Sequence, residues 1–175
     1  DVIVILDLSS SMRRDIGSNT AYDNPQNGYY QNVENSRYYQ AKQAVQRLAD
    51  KLYEVNGTDG EQYRMGLVTF SNKATIRQYP TESKSQFQSV LEGITAYEGS
   101  GTNWEHSLQL ANQMATASDR ATYIVFITDG EPSVRQTRGN LTNEQLSGNN
   151  VAGQVGNPNY NPANEGDIFH GGLYD

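Results

Sequence analysis

Val2-Ile3-Val4-Ile5-Leu6 is an unbroken run of mostly β-branched apolar residues, and it constrains the fold more than any other stretch. Such a run reads as a strand buried on both faces. Two more apolar runs follow, Leu67-Val68-Thr69-Phe70 at the end of a strand over 63–70, and 122–127. Strands covered on both faces need helices above and below, and the sequence between these runs supplies them. Tyr38, Ala41, Val45, Leu48, Leu52 and Val55 recur at helical steps, and Asn56-Gly57 closes that helix. A second helix opens at Pro80-Thr81-Glu82-Ser83 and buries Phe87, Val90, Leu91 and Ile94. A third runs over 104–117, with Trp104, Leu108, Ala111 and Ala115 on one side. Ser71-Asn72 is too short a connection for a crossover, so residues 74–79 form an antiparallel hairpin strand at the sheet edge. The result is an α/β fold, a doubly wound, mostly parallel sheet with one antiparallel edge strand. Right-handed crossovers put the hairpin strand outermost, then 63–70, then the first strand, then 122–127.

Sheets of this kind bind ligands beyond the carboxyl ends of their strands, where the winding reverses. Asp7 ends the first strand and Asp129 follows the fourth. Ser9 and Ser11 alternate with Asp7 in D-L-S-S-S, and Thr102 lies in the loop before the third helix. These are small, hard oxygen donors of the type that suits Mg²⁺, Ca²⁺ or Mn²⁺. The serine stretch alone is equally consistent with hydroxyls that cap a turn or a helix.

Composition removes whole classes. With no cysteine, disulfides, zinc–thiolate sites and cysteine nucleophiles are excluded. A net charge of -7 argues against nucleic acid or an anionic membrane as partner. No stretch approaches the roughly 20 apolar residues of a membrane span. Enzymes that transfer phosphoryl groups through a strand-end aspartate usually carry a second acid two positions on, and Ser9 stands there; no motif positions a lysine for a phosphoryl group, though Lys42 can be proposed. Neither His106 nor His170 is tied to a serine, and no Gly-rich phosphate loop follows the first strand. The expectation is a binding module and not an enzyme.

D-L-S-S-S, S-G-T-N and I-T-D-G-E-P together resemble the von Willebrand factor type A domain and its metal-ion-dependent adhesion site, over residues 1–132. T-N-W-E followed by F-I-T-D-G-E-P is most similar to the domains of Gram-positive sortase-assembled pilus tip adhesins. The resemblance implies Mg²⁺ (replaceable by Mn²⁺ or Ca²⁺) held by Ser9 and Ser11, by Thr102 in one state, and by Asp7 and Asp129 directly or through water. It further implies adhesion at the cell surface, on a cell wall or pilus, to an extracellular protein ligand through an acidic side chain. An intracellular assembly partner of an ATPase is the alternative with the same fold.

Two tracts stand outside this frame. Residues 12–35 form a polar insertion beside the candidate site, from which Tyr22, Tyr29 and Tyr30 are candidate ligand contacts. Residues 133–175 read as a polar arm, with a short helix at 142–146. Members of the family usually continue with two more strands, so the expectation is that the domain is completed beyond residue 175 and that further domains of a longer chain are partners. The fourth strand would otherwise leave an apolar edge unpaired.

Overall fold

The computed structural model describes residues 1–16, 23–24, 29–30, 33–56, 62–94, 101–130, 132, 134–136 and 168–170. In chain order the elements are β1 (Val2–Asp7), a 3₁₀ turn (Ser10–Arg13), β2 (Asp23–Asn24), β3 (Tyr29–Tyr30), a second 3₁₀ turn (Val33–Asn35) and α1 (Arg37–Glu54). There follow β4 (Met65–Phe70), β5 (Ala74–Thr81), α2 (Lys84–Glu92), α3 (Trp104–Thr116), β6 (Tyr123–Ile127), β7 (Val134–Gln136) and β8 (Ile168–His170).

The main sheet has the order β5-β4-β1-β6. β1 pairs in parallel with β4 from Val2↔Met65 to Asp7↔Phe70, and in parallel with β6 from Val2↔Tyr123 to Leu6↔Ile127. β5 is antiparallel to β4 at the edge. This is the order expected from the sequence, and it puts the carboxyl ends of β1, β4 and β6 on one rim.

Alternation along β1 divides the core in two. Val2, Val4 and Leu6 pack with Tyr38, Val45, Ala49 and Tyr53 of α1, and with Phe87 and Leu91 of α2. Ile3 and Ile5 face the other way, toward Ala111 and Met114 of α3. Burial of such side chains is worth about 1.5–3 kcal/mol each, which fixes the strand register because a one-residue slip would exchange the two faces. Each helix starts on a side-chain cap. Ser36, Ser83 and Asn103 accept from the N–H groups of Tyr39, Gln86 and His106 respectively.

Several boundaries differ from the sequence reading. β4 begins at Met65 and not at residue 63. β5 extends through Pro80 to Thr81, so Pro80 belongs to the edge strand and not to the opening of α2. A proline is tolerated there because an edge strand need not donate on its outer side. β5 also carries register irregularities opposite Met65, Leu67 and Val68. The insertion after Ser11 has more regular structure than its composition suggests. Its described parts include two 3₁₀ turns and the antiparallel β2–β3 pair. Its base is closed by an Asp15↔Ser36 bridge and by the Arg37 N–H donating to the Arg14 carbonyl. The polar arm likewise contains one antiparallel pair, β7 with β8. The helix expected at 142–146 lies outside the described residues.

Among the described residues β6 pairs only with β1 in the main sheet, and Tyr123 and Ile124 are exposed. No helix among them is long and apolar enough to cross a membrane.

Candidate functional site

The loop after β1 is pinned from beneath. Leu8 and Met12 are buried in the core on the α1 side, and the Leu8 N–H donates to the Phe70 carbonyl at 2.7 Å. The 3₁₀ turn closes through Met12 N–H to the Ser9 carbonyl and Arg14 N–H to the Ser11 carbonyl. With the apolar positions anchored, Asp7, Ser9 and Ser11 are left along the rim.

Four of the five candidate residues form one hydrogen-bonded chain. Asp7 Oδ1 accepts from the Ser9 N–H at 2.7 Å. The Ser9 and Ser11 hydroxyls lie 3.0 Å apart, and Ser11 Oγ donates to Asp129 Oδ1 at 2.8 Å. A hydroxyl has one proton to give; with that of Ser11 on Asp129, Ser9 is the donor within the serine pair, and the Asp7 carboxylate is a second acceptor for the same proton. Thr128 Oγ1 donates to Asp7 Oδ2 at 2.7 Å, which ties the end of β6 to the end of β1.

Thr102, the fifth, is buried on the same rim. The Asn103 N–H donates to the Ser71 carbonyl at 2.8 Å, directly after β4. Asn103 Nδ2 donates to the Asn72 carbonyl at 3.1 Å, and the Gly101 N–H donates to Asn72 Oδ1. Residues on both sides of Thr102 are therefore fastened to the β4–β5 turn.

Asp7 is fully buried. Burial pushes its carboxyl up from the ordinary range, hydrogen bonds from Thr128 and Ser9 pull the other way, and the nearby Asp129 charge adds to the upward push. Two carboxylates held this close repel each other, and a cation between them would relieve both effects. The donor set, carboxylates plus neutral hydroxyls, fits a hard divalent ion. Among the described residues no group of three or more His, Cys, Asp or Glu could hold a metal, so with these residues alone a cation here would need hydroxyl ligands beside the two carboxylates.

Residues that the sequence did not point to complete the arrangement. Arg37 Nη1 donates to Asp129 Oδ2 at 2.5 Å. Its signal was available: a cation in the first turn of a helix opposes the macrodipole and needs a reason to be there. Asn103 also carried one, as an N-cap residue type directly before the third helix; Thr128 and Asn72 carried none. Lys42 is far from phosphoryl chemistry in its contacts, since its Nζ donates to the Glu92 and Ile94 carbonyls at the end of α2. Tyr29 and Tyr30 form β3, paired with Asp23–Asn24; Tyr22 lies outside the described residues.

A family model described as von Willebrand factor type A domain matches residues 2–131. No curated protein matches the chain. Among solved structures, the vWF domain of the type V pili tip protein Mfa5 from Porphyromonas gingivalis is similar, with a TM-score of 0.59 at 22% identity. That match covers 90% of this chain and 45% of the other. The PilB minor pilin from Streptococcus sanguinis matches with a TM-score of 0.62 at 18% identity, over 86% of this chain and 34% of PilB. At these identities the likeness is one of fold, and the chain spans less than half the length of either structure.

Proposed function

Because this chain belongs to the von Willebrand factor type A domain family, we propose that the rim cluster is a metal-ion-dependent adhesion site and that the chain is a cell-surface adhesion module. Ser9, Ser11, Thr102, Asp7 and Asp129 would hold Mg²⁺, with Mn²⁺ or Ca²⁺ as substitutes. The observation that carries this reading is the continuous chain from Asp7 through Ser9 and Ser11 to Asp129. It gathers oxygen donors from loops that are 118 residues apart in sequence.

A bound divalent ion supplies a Lewis-acidic position that accepts an acidic side chain from the partner. The protein's own part is orientation. Ser9 and Ser11 present neutral oxygens that add no charge, while Thr128 and the Ser9 N–H hold both oxygens of Asp7 in place. The Asn72 and Asn103 contacts fix the loop that carries Thr102. The partner is an extracellular protein ligand that offers a carboxylate. The setting is the surface of a cell, on a pilus or cell wall as in sortase-assembled tip adhesins. The pilus names of Mfa5 and PilB support that setting. Binding and not catalysis is favoured by Ser9, which stands where a phosphoryl-transfer site would place its second acid.

The test is binding to immobilised matrix proteins with and without chelator, for wild type and Asp7→Ala, alongside Mg²⁺ and Mn²⁺ calorimetry. Ion uptake and chelator-sensitive adhesion that Asp7→Ala abolishes would support the reading. Adhesion indifferent to both would remove it.

A further inference from the structure

Arg37 brings a charge to the rim that the metal-site reading does not use. It is the first residue of α1, where its cation faces the positive end of the helix dipole. Its guanidinium is held by Asp129 Oδ2, while Ser11 engages the other oxygen of the same carboxylate. Its backbone N–H donates to the Arg14 carbonyl at 3.0 Å, so the base of the 12–35 insertion fixes where it stands. The Arg37 side chain is 25% exposed and that of Asp129 7%. Water and salt therefore screen the pair only in part.

We infer that Arg37 determines what the site accepts: its charge makes the cation-loaded rim net positive, which favours an anionic ligand group at the expense of cation affinity. The inference rests on the adhesion-site reading. Two carboxylates, Asp7 and Asp129, cancel one divalent ion, and the loaded site without Arg37 is neutral. A carboxylate arriving there would leave it negative. With Arg37 the loaded site carries one positive charge, and the arriving carboxylate neutralises it. Before loading, the same guanidinium already satisfies part of Asp129, so an incoming cation meets both a competitor and a like charge. A planar guanidinium also offers the arriving carboxylate a paired hydrogen-bonding geometry that an ammonium lacks.

The experiment uses the whole 175-residue chain as wild type, Arg37→Met, Arg37→Gln and Arg37→Lys, with helicity checked by circular dichroism. Mn²⁺ affinity is measured by calorimetry. Acetate is then titrated into the Mn²⁺-saturated protein and followed by water-proton relaxation. Arg37→Met and Arg37→Gln should each bind Mn²⁺ about tenfold more tightly and acetate about tenfold more weakly, the scale set by loss of one charge-assisted contact. Arg37→Lys should stay near wild type for Mn²⁺. Gln can still donate to Asp129, so a Gln variant that behaves as wild type while Met does not would mean a brace and not a charge, and would overturn the inference. Weaker Mn²⁺ binding in either neutral variant, or no change in both, would overturn it too. A wild type that takes up Mn²⁺ in those cases leaves the adhesion site standing; a wild type that takes up none defeats both readings.

Discussion

Asn103 is the residue on which the Thr102 loop depends, and its removal has a calculable effect. Its side chain is fully buried and does two things at once. Oδ1 accepts from the His106 N–H at 3.0 Å and caps α3, while Nδ2 donates to the Asn72 carbonyl at 3.1 Å. Asn103→Ala keeps the backbone bond to Ser71 but loses both side-chain bonds. Loss of an N-cap costs about 1 kcal/mol. Loss of a buried donor from the Asn72 carbonyl costs about 1 kcal/mol more. The sum, about 2 kcal/mol, corresponds to a fall of about 4–8 °C in Tm for a chain of this size. Asn103→Ser isolates one part, because serine caps as well as asparagine but is too short to reach Asn72; its cost should be about 1 kcal/mol. Urea unfolding at pH 7 should show lower midpoints in the order wild type, Ser, Ala, with unchanged m. Both variants should also weaken divalent-ion binding, because Thr102 loses its fixed position. An Ala variant within about 0.5 kcal/mol of wild type, the range of ordinary surface changes, would refute the reasoning.

Three further outcomes follow from the geometry. In Gly66→Ala the new Cβ would lie 2.6 Å from Met114 Cε, 3.2 Å from the Gln78 carbonyl and 3.3 Å from Pro80 Cδ. Thermal melts should show a loss of about 1–3 kcal/mol, partly recovered against the sum of single changes when Met114→Ala is added. Burial, with Lys73 adding to it, holds the pKa of His106 below the ordinary histidine value, and its Nδ1 accepts from the Ala74 N–H. The unfolded chain then binds the extra proton first, so stability should fall as pH drops through about 6.5 toward the folded value. His106→Gln should flatten that slope between pH 7 and 5.5 in denaturant titrations, and an unchanged slope would assign it to other groups. Asp7→Asn should melt higher than wild type in chelator, because it removes a buried charge facing Asp129, and should gain nothing from Mg²⁺. A variant that melts lower than wild type in chelator would contradict this.

What the sequence made legible was whatever depends on local pattern and handedness. Val2–Leu6 and Leu67–Phe70 are apolar because they are covered on both faces, whereas the equally apolar 122–127 run leaves Tyr123 and Ile124 exposed among the described residues; crossover chirality then leaves few orders for the strands. That alone brings Asp7 and Asp129 to one rim. Contacts decided by tertiary approach were not legible. Arg37 meets Asp129 across 92 residues of sequence, and Asn72 meets Gly101 across 29. Pro80 read as a helix opener because proline suits a first turn as well as an edge strand. β7 and β8 are three residues each, too short for a period-two pattern to stand out from a polar tract.

The position of β1 has a mechanical consequence. Asp7 terminates the strand that is bonded along its length on both sides, to β4 and to β6. Tension drawn from a partner gripped at Asp7 would run down this strand as shear between two neighbours. Their backbone bonds must then yield together and not one after another. Asp129 follows β6, which among the described residues is bonded on one side only, and within that part of the sheet the two carboxylates would not share a load equally.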